Sequence, residues 1–261
     1  LPDRTLRQAT RSKKSSKTVD PVKKRTVAKG MSEKDWVTEI SKWPKKMVRQ
    51  NSKLALTDFH QWSIPALTAS VVDGTGTKVV STCPGAGECA GFCYAQQGGY
   101  GFKGTMVAHT RNLQAYKRDS DRWAAQLTRE IKAKQKIKAF RIHDSGDFFN
   151  SVYLRKWMDI VRAVPEVQFY AYTKVIPLVR SLESEGGVPE NMTFILSYGG
   201  KWDDQIDTDK DRHSKVFTSN GAMEKAGYFD TTKSDANAAD PTKLKIGLVY
   251  HGNQAYAGSA V

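Results

Sequence analysis

Apolar positions first fall into a regular pattern after residue 31. Trp36, Ile40 and Trp43 recur at helical spacing. Ser32 precedes them as a helix cap, and Glu33 and Asp35 occupy the first turn, where the helix dipole favours anions. From Leu54 the pattern changes to short apolar runs. Leu54-Ala-Leu-Thr57 and Trp62-Ser-Ile-Pro-Ala66 read as strands. Ala69-Ser-Val-Val72 and Lys78-Val-Val80, joined by Asp73-Gly-Thr-Gly76, read as a hairpin. Residues 103–136 carry one long helical pattern with Trp123, Leu127 and Ile131 on its buried stripe. Beyond it, strand-like runs at 139–143, 167–174, 192–197, 215–219 and 244–250 alternate with helical patterns at 152–164, 177–185 and 222–226. Strand, helix, strand at this spacing is the grammar of a parallel sheet. The prediction is an α/β fold, a parallel βα barrel-like domain of partial or full TIM type, with an open doubly wound sheet as the alternative. Residues 201–212 and 231–240 break the grammar and read as polar insertions.

Composition divides the chain. Residues 1–50 carry 15 Lys and Arg against 5 Asp and Glu, whereas the whole 261-residue chain has 41 against 27. The basicity therefore sits at the N-terminal end. Residues 1–30 are expected to be a disordered basic arm, residues 31–50 a basic Trp-bearing helix, and residues 51–261 the folded domain. A polyanion is the natural partner of such an arm, with DNA favoured over RNA. Arg11, Lys13, Lys14, Lys23, Lys24 and Arg25 are its densest cations, and Lys45 and Lys46 continue the series. Tryptophans of the basic helix are weighed as base-stacking or core residues, with core preferred. There is no apolar run of membrane-spanning length and no signal-peptide pattern, so a cytoplasmic protein is expected.

All three cysteines fall within eleven residues, Cys83-Pro-Gly-Ala-Gly-Glu-Cys89-Ala-Gly-Phe-Cys93. An odd, tight set is a poor disulfide framework and a good soft-ligand set for a metal. Free clustered thiols also suit a reducing compartment. Three thiolates can hold a 4Fe-4S cluster and leave one iron open for a further ligand. The alternative is a zinc site of Cys3His type, completed by His60, His109 or His143. Glycines in the loop let the backbone wrap a small object.

Ligands of parallel α/β proteins bind beyond the carboxyl ends of the strands. Polar residues recur there: His143-Asp144-Ser145-Gly146-Asp147, then Tyr172-Thr-Lys174, Ser197-Tyr-Gly-Gly200, Thr218-Ser-Asn220 and His251-Gly-Asn-Gln254. His143, Asp144, Asp147, Lys174 and His251 are the candidate catalytic groups of one rim. Asp144, Asp147 and His143 also suggest a hydrolytic metal site that would nick DNA. No nucleophile elbow, phosphate loop or His-Glu-x-x-His motif is present.

The cysteine loop with Tyr94-Ala95, Arg141-Ile-His-Asp-Ser-Gly-Asp-Phe148 and Phe169-Tyr-Ala-Tyr-Thr-Lys174 resembles the gene product 88-like family of phages and mobile elements, over about residues 54–256. More distantly, the chain is similar to radical S-adenosylmethionine enzymes, whose three-cysteine loop follows an early barrel strand. The spacing C-x5-C-x3-C stands where that family has C-x3-C-x2-C. Ser145-Gly146-Asp147 takes the place of its Gly-Gly-Glu. This resemblance implies S-adenosylmethionine as a cofactor, with Tyr94, Ser145, Gly146 and Ser197 as its binding residues. The combined expectation is an iron–sulfur protein of a phage or mobile element that binds nucleic acid. A radical enzyme that modifies nucleic acid and a metal-dependent nicking nuclease are the alternatives.

Overall fold

The apolar runs of the main sheet pair side by side in the same direction, and the hairpin runs pair antiparallel. The structure is a computed structural model and describes residues 27–250 except 52 and 135. Ser32 caps α1 (Glu33–Ile40) by accepting from the Asp35 amide. After β1 (Phe59–Trp62) come β2 (Thr68–Asp73) and β3 (Gly76–Ser81), an antiparallel hairpin as predicted. α2 (Lys103–Arg118) and α3 (Ser120–Lys132) precede β4 (Ala139–Ile142). There follow α4 (Ser151–Arg162), β5 (Gln168–Thr173), α5 (Ile176–Ser184), β6 (Met192–Ser197) and β7 (His213–Phe217). α6 (Asn220–Lys225), β8 (Phe229–Asp230), α7 (Ala236–Ala239) and β9 (Lys245–Val249) complete the described chain.

Seven strands form one parallel sheet in the order β1-β4-β5-β6-β7-β9-β8. The sheet curls into half a barrel. β1 and β8 stand at its two edges and do not pair with each other, so the barrel is partial and open. Both faces are covered, which is why these strands read as continuous apolar runs. Phe140, Ile142, Phe169, Ala171, Phe194 and Leu196 pack outward against α3, α4 and α5 through Trp123, Leu127, Trp157, Val161 and Val179. On the concave face Phe59, Ala139, Tyr170, Ile195 and Ile246 meet Ala238 and Ala239 of α7. α7 thus plugs the floor of the half-barrel.

Several local expectations change. The basic helix expected over residues 31–50 covers only Glu33–Ile40, and the strand expected over 62–66 ends at Trp62. Residues 54–57 form a 3-10 turn, and the first strand begins at Phe59. The single long helix is two, because Asp119 turns extended and its carboxylate caps α3 by accepting from the Arg122 amide at 2.9 Å. The insertion at 231–240 is buried in part, with Thr231 and Asp235 inaccessible. The predicted arm cations Arg11 to Arg25 and His251 lie outside the described residues.

Candidate metal and ligand site

The cysteine loop is stitched to the ends of β5 and β6. The Gly87 and Cys89 amides both donate to the Gly199 carbonyl, at 3.2 and 3.0 Å, and the Lys201 amide donates to the Gly85 carbonyl at 3.0 Å. Close approach requires the glycines here. A Cβ on Gly85 would lie 2.5 Å from the Lys174 carbonyl oxygen, and one on Gly87 would lie 2.7 Å from that of Gly200. Asp203, in the acidic loop, accepts from the Gly199 and Gly200 amides at 2.7 and 2.9 Å and so fixes the platform the loop rests on.

Cys83, Cys89 and Cys93 are free, half-buried, and line one cavity of about 180 Å³ at the carboxyl ends of the strands. Backbone N–H groups stand beside each sulfur. Leu67 donates to Cys83 Sγ at 3.2 Å, while the Gly87 amide beside Cys89 and the Ala95 and Gln96 amides beside Cys93 favour the charged form of those sulfurs. Burial pushes all three thiols up, while these amides, and for Cys89 and Cys93 the Lys174 ammonium, pull the other way. Such donors stabilise thiolate over thiol, and a soft metal needs the thiolate. Among the described residues, no three His, Cys, Asp or Glu side chains converge on a single ion-sized point. The thiols share a wall rather than a point.

The same cavity is lined by Tyr94, His143, Asp144, Ser145, Gly146, Asp147, Lys174 and Ser197. Their roles differ. The Asp147 carboxylate accepts from Thr173 Oγ1 at 2.7 Å and from the amides of Phe148 and Lys174 at 2.7 and 2.9 Å. Burial pushes its pKa up to about 6 against those donors. Its work is to tie the loop after β4 to the end of β5. Lys174 Nζ donates to Ser197 Oγ at 2.5 Å. Asp144 accepts from Gln61 Nε2 at 2.7 Å, from the Tyr100 hydroxyl at 3.1 Å and from Ser63 Oγ. Tyr94 donates its hydroxyl to the Asp144 carbonyl. Ser145 Oγ donates to the Ile64 carbonyl at 2.6 Å, and Gly146, at φ +81°, packs on the Ile64 side chain.

His143 is turned away. At φ +67° its ring leaves the concave face and enters the aromatic core, centred 5.0 Å from Phe148 and 5.6 Å from Tyr153. Nε2 lies 2.6 Å from the Tyr153 hydroxyl, and burial pushes the imidazole pKa down to about 3. His60 and His109, the other histidines weighed for a zinc site, do not line the thiol cavity. Lys45 and Lys46 are exposed and line a different recess.

Beneath the cavity lies a charged layer absent from the sequence reading. Arg141 Nη1 donates to Asp235 Oδ2 at 3.0 Å, its Nε donates to the His143 carbonyl at 3.1 Å, and its guanidinium faces the Tyr172 ring at 4.9 Å. Asp235 also pairs with Lys53 at 2.5 Å and accepts from the Tyr170 hydroxyl at 2.8 Å. An arginine inside Ala139-Phe-Arg-Ile142 was the available signal, since a cation in a buried strand needs a partner. Nothing in the polar 231–240 run marked Asp235.

The family model described as Gene product 88 matches residues 40–259. The Gene 88 protein of Mycobacterium phage L5 is 29% identical over 121 residues, which are 46% of this chain and 46% of that protein. The Gene 88 protein of Mycobacterium phage D29 is 27% identical over 121 residues, 46% of this chain and 45% of that protein. The chain thus spans about half the length of the curated relatives it matches. No solved structure matches it.

Proposed function

The chain belongs to the Gene product 88 family, and from that premise we propose that it is an iron–sulfur protein acting with nucleic acid, DNA in the first instance. Cys83, Cys89 and Cys93 would hold a 4Fe-4S cluster. The observation that carries this reading is that three free thiols, one of them hydrogen-bonded by the Leu67 amide, line one cavity at the carboxyl ends of a parallel half-barrel. Only three thiolates are offered, which leaves one iron for another ligand. Zinc of Cys3His type is less well supported, because among the described residues no histidine ring is presented to the thiols. The basic N-terminal residues supply the attraction to a polyanion.

The cavity itself favours one elaboration, a radical S-adenosylmethionine type of enzyme. A purely structural cluster needs no polar groups around it, whereas the thiols here share their cavity with Tyr94, Asp144, Ser145, Lys174 and Ser197. When bound, such a cluster supplies a single electron to its ligand. The chain's own groups would bind and orient that ligand. Lys174, held on Ser197, offers a cation. Tyr94, Ser145 and Gly146 shape the wall, and Asp144 offers an acceptor fixed by Gln61. A hydrolytic nuclease is less well supported, since the Asp147 carboxylate is spent on Thr173 and two amides and the His143 ring sits in the core.

The test is anaerobic reconstitution with iron and sulfide. About four irons and four sulfides per chain are expected, with a paramagnetic signal after reduction that shifts on adding S-adenosylmethionine. Cys89→Ser should lower the iron content. Retained zinc, or no metal, would overturn the cluster. A signal unmoved by S-adenosylmethionine, with no 5′-deoxyadenosine formed, would leave the cluster and remove the radical enzyme.

A further inference from the structure

A second recess, of about 820 Å³, shares a wall with the thiol cavity, for Asp144 lines both. Its cations fall into two groups. Lys42 and Arg111 are taken by Glu39, at 2.5 and 2.9 Å. Lys45, Lys46 and Arg49 are exposed, and among the described residues their side chains have no ion pair or hydrogen bond. The one carboxylate among the described residues of the recess, Asp144, is already held by Gln61, Ser63 and Tyr100. The recess therefore carries a surplus of unpaired positive charge. Phe102 stands at its rim with 69% of its surface exposed. Trp43, one of the two tryptophans weighed for stacking with core preferred, is not free for it. Arg122 covers its ring at 4.0 Å and Arg118 at 5.1 Å, and its Nε1 donates to Gln126 at 2.6 Å.

Unpaired cations beside an exposed aromatic ring in a groove make a surface for single-stranded nucleic acid, the cations tracking phosphates and the ring stacking a base. We propose that Lys45, Lys46, Arg49 and Phe102 form such a track, and that a strand lying in it passes the wall of the thiol cavity at Asp144. The inference rests on the reading of the protein as a nucleic-acid partner and is independent of the cluster.

The test is fluorescence anisotropy of the full chain with labelled single-stranded DNA and RNA over a salt series. One variant carries Lys45→Gln, Lys46→Gln and Arg49→Gln, a second carries Phe102→Ala, and a third replaces Arg11, Lys13, Lys14, Lys23, Lys24 and Arg25 by Gln. All of these groove positions are exposed, so unchanged melting temperatures should accompany the first two variants. Three lost phosphate contacts should flatten the slope of log affinity against log salt by about two and weaken binding at least about tenfold. Phe102→Ala should weaken binding by about tenfold with the slope unchanged. If only the N-terminal variant loses binding, the groove is not the track, although the nucleic-acid reading stands. If the wild-type chain binds neither strand, both fall.

Discussion

A φ of +67° is uncommon for a residue with a side chain, and at His143 it moves an imidazole from a binding face into the core. The consequence can be measured. The unfolded chain takes up this proton below about pH 6.5, while the fold refuses it until about pH 3 because burial disfavours the cation. His143 therefore costs stability as pH falls, by about 2 kcal/mol between pH 7 and pH 5. Asp147 has the opposite sign. Burial raises its folded pKa to about 6 from 3.8, so its ionisation weakens the fold above that range, and lowering the pH to 5 returns about 1.4 kcal/mol. The two slopes nearly cancel in the wild type. Urea unfolding at the two pH values should show His143→Gln gaining stability toward pH 5 and Asp147→Asn losing it. Asp235→Asn makes a larger difference. It leaves Arg141 and Lys53 without a counter-charge, and the unfolding free energy should drop by about 3–5 kcal/mol.

Among the elements, the cysteine loop is held by shape more than by side chains. Gly85→Ala must push against the Lys174 carbonyl, a rigid backbone atom, and should cost about 1–3 kcal/mol and lower the iron taken up on reconstitution. Gly91→Ala meets nothing within 4 Å and should leave melting temperature and iron uptake unchanged. The main sheet strands and the outer helices were legible in the sequence, because two-sided burial writes β4, β5, β6 and β9 as apolar runs and one-sided burial writes α3 and α4 as stripes. The division of residues 103–136 into two helices was not, since the break depends on one carboxylate choosing to cap rather than continue. Nor was α7. It buries two alanines and an ion-paired aspartate, and small or charged residues carry no hydrophobic period.

At the scale of the molecule, the clustered thiols and the polar strand ends pointed to one place, and the cavity brings the thiols together with residues 143–147, 172–174, Ser197 and Tyr198, whereas Thr218, Ser219 and Asn220 stay outside it and Ser219 caps α6. The chemistry that sets them apart was hidden, since sequence does not say which donors a carboxylate already satisfies. The open sheet leaves β1 as an edge, which Arg49 covers by exchanging backbone hydrogen bonds with Gln61 at 2.9 and 2.8 Å. That places an unpaired cation of the second recess on the segment that seals the sheet. Arg49→Pro removes the backbone donor and the charge together, whereas Arg49→Gln removes only the charge. The first should lower the melting temperature and the second should not, which separates edge protection from polyanion attraction.

Peptide N–H groups stand beside the sulfurs of the loop, Leu67 at Cys83, Gly87 at Cys89, and Ala95 and Gln96 at Cys93. Peptide dipoles belong to every residue alike, so the part of the field at the thiols that the loop itself supplies is set by how its main chain bends, while Lys174 and Asp147 supply the charges from outside it. Were the proposed cluster bound there, exchanging Ala86 or Glu88 would leave those amides in place, and with them the affinity for the cluster and the tuning of its potential. A change that straightens the backbone by one residue would forfeit both.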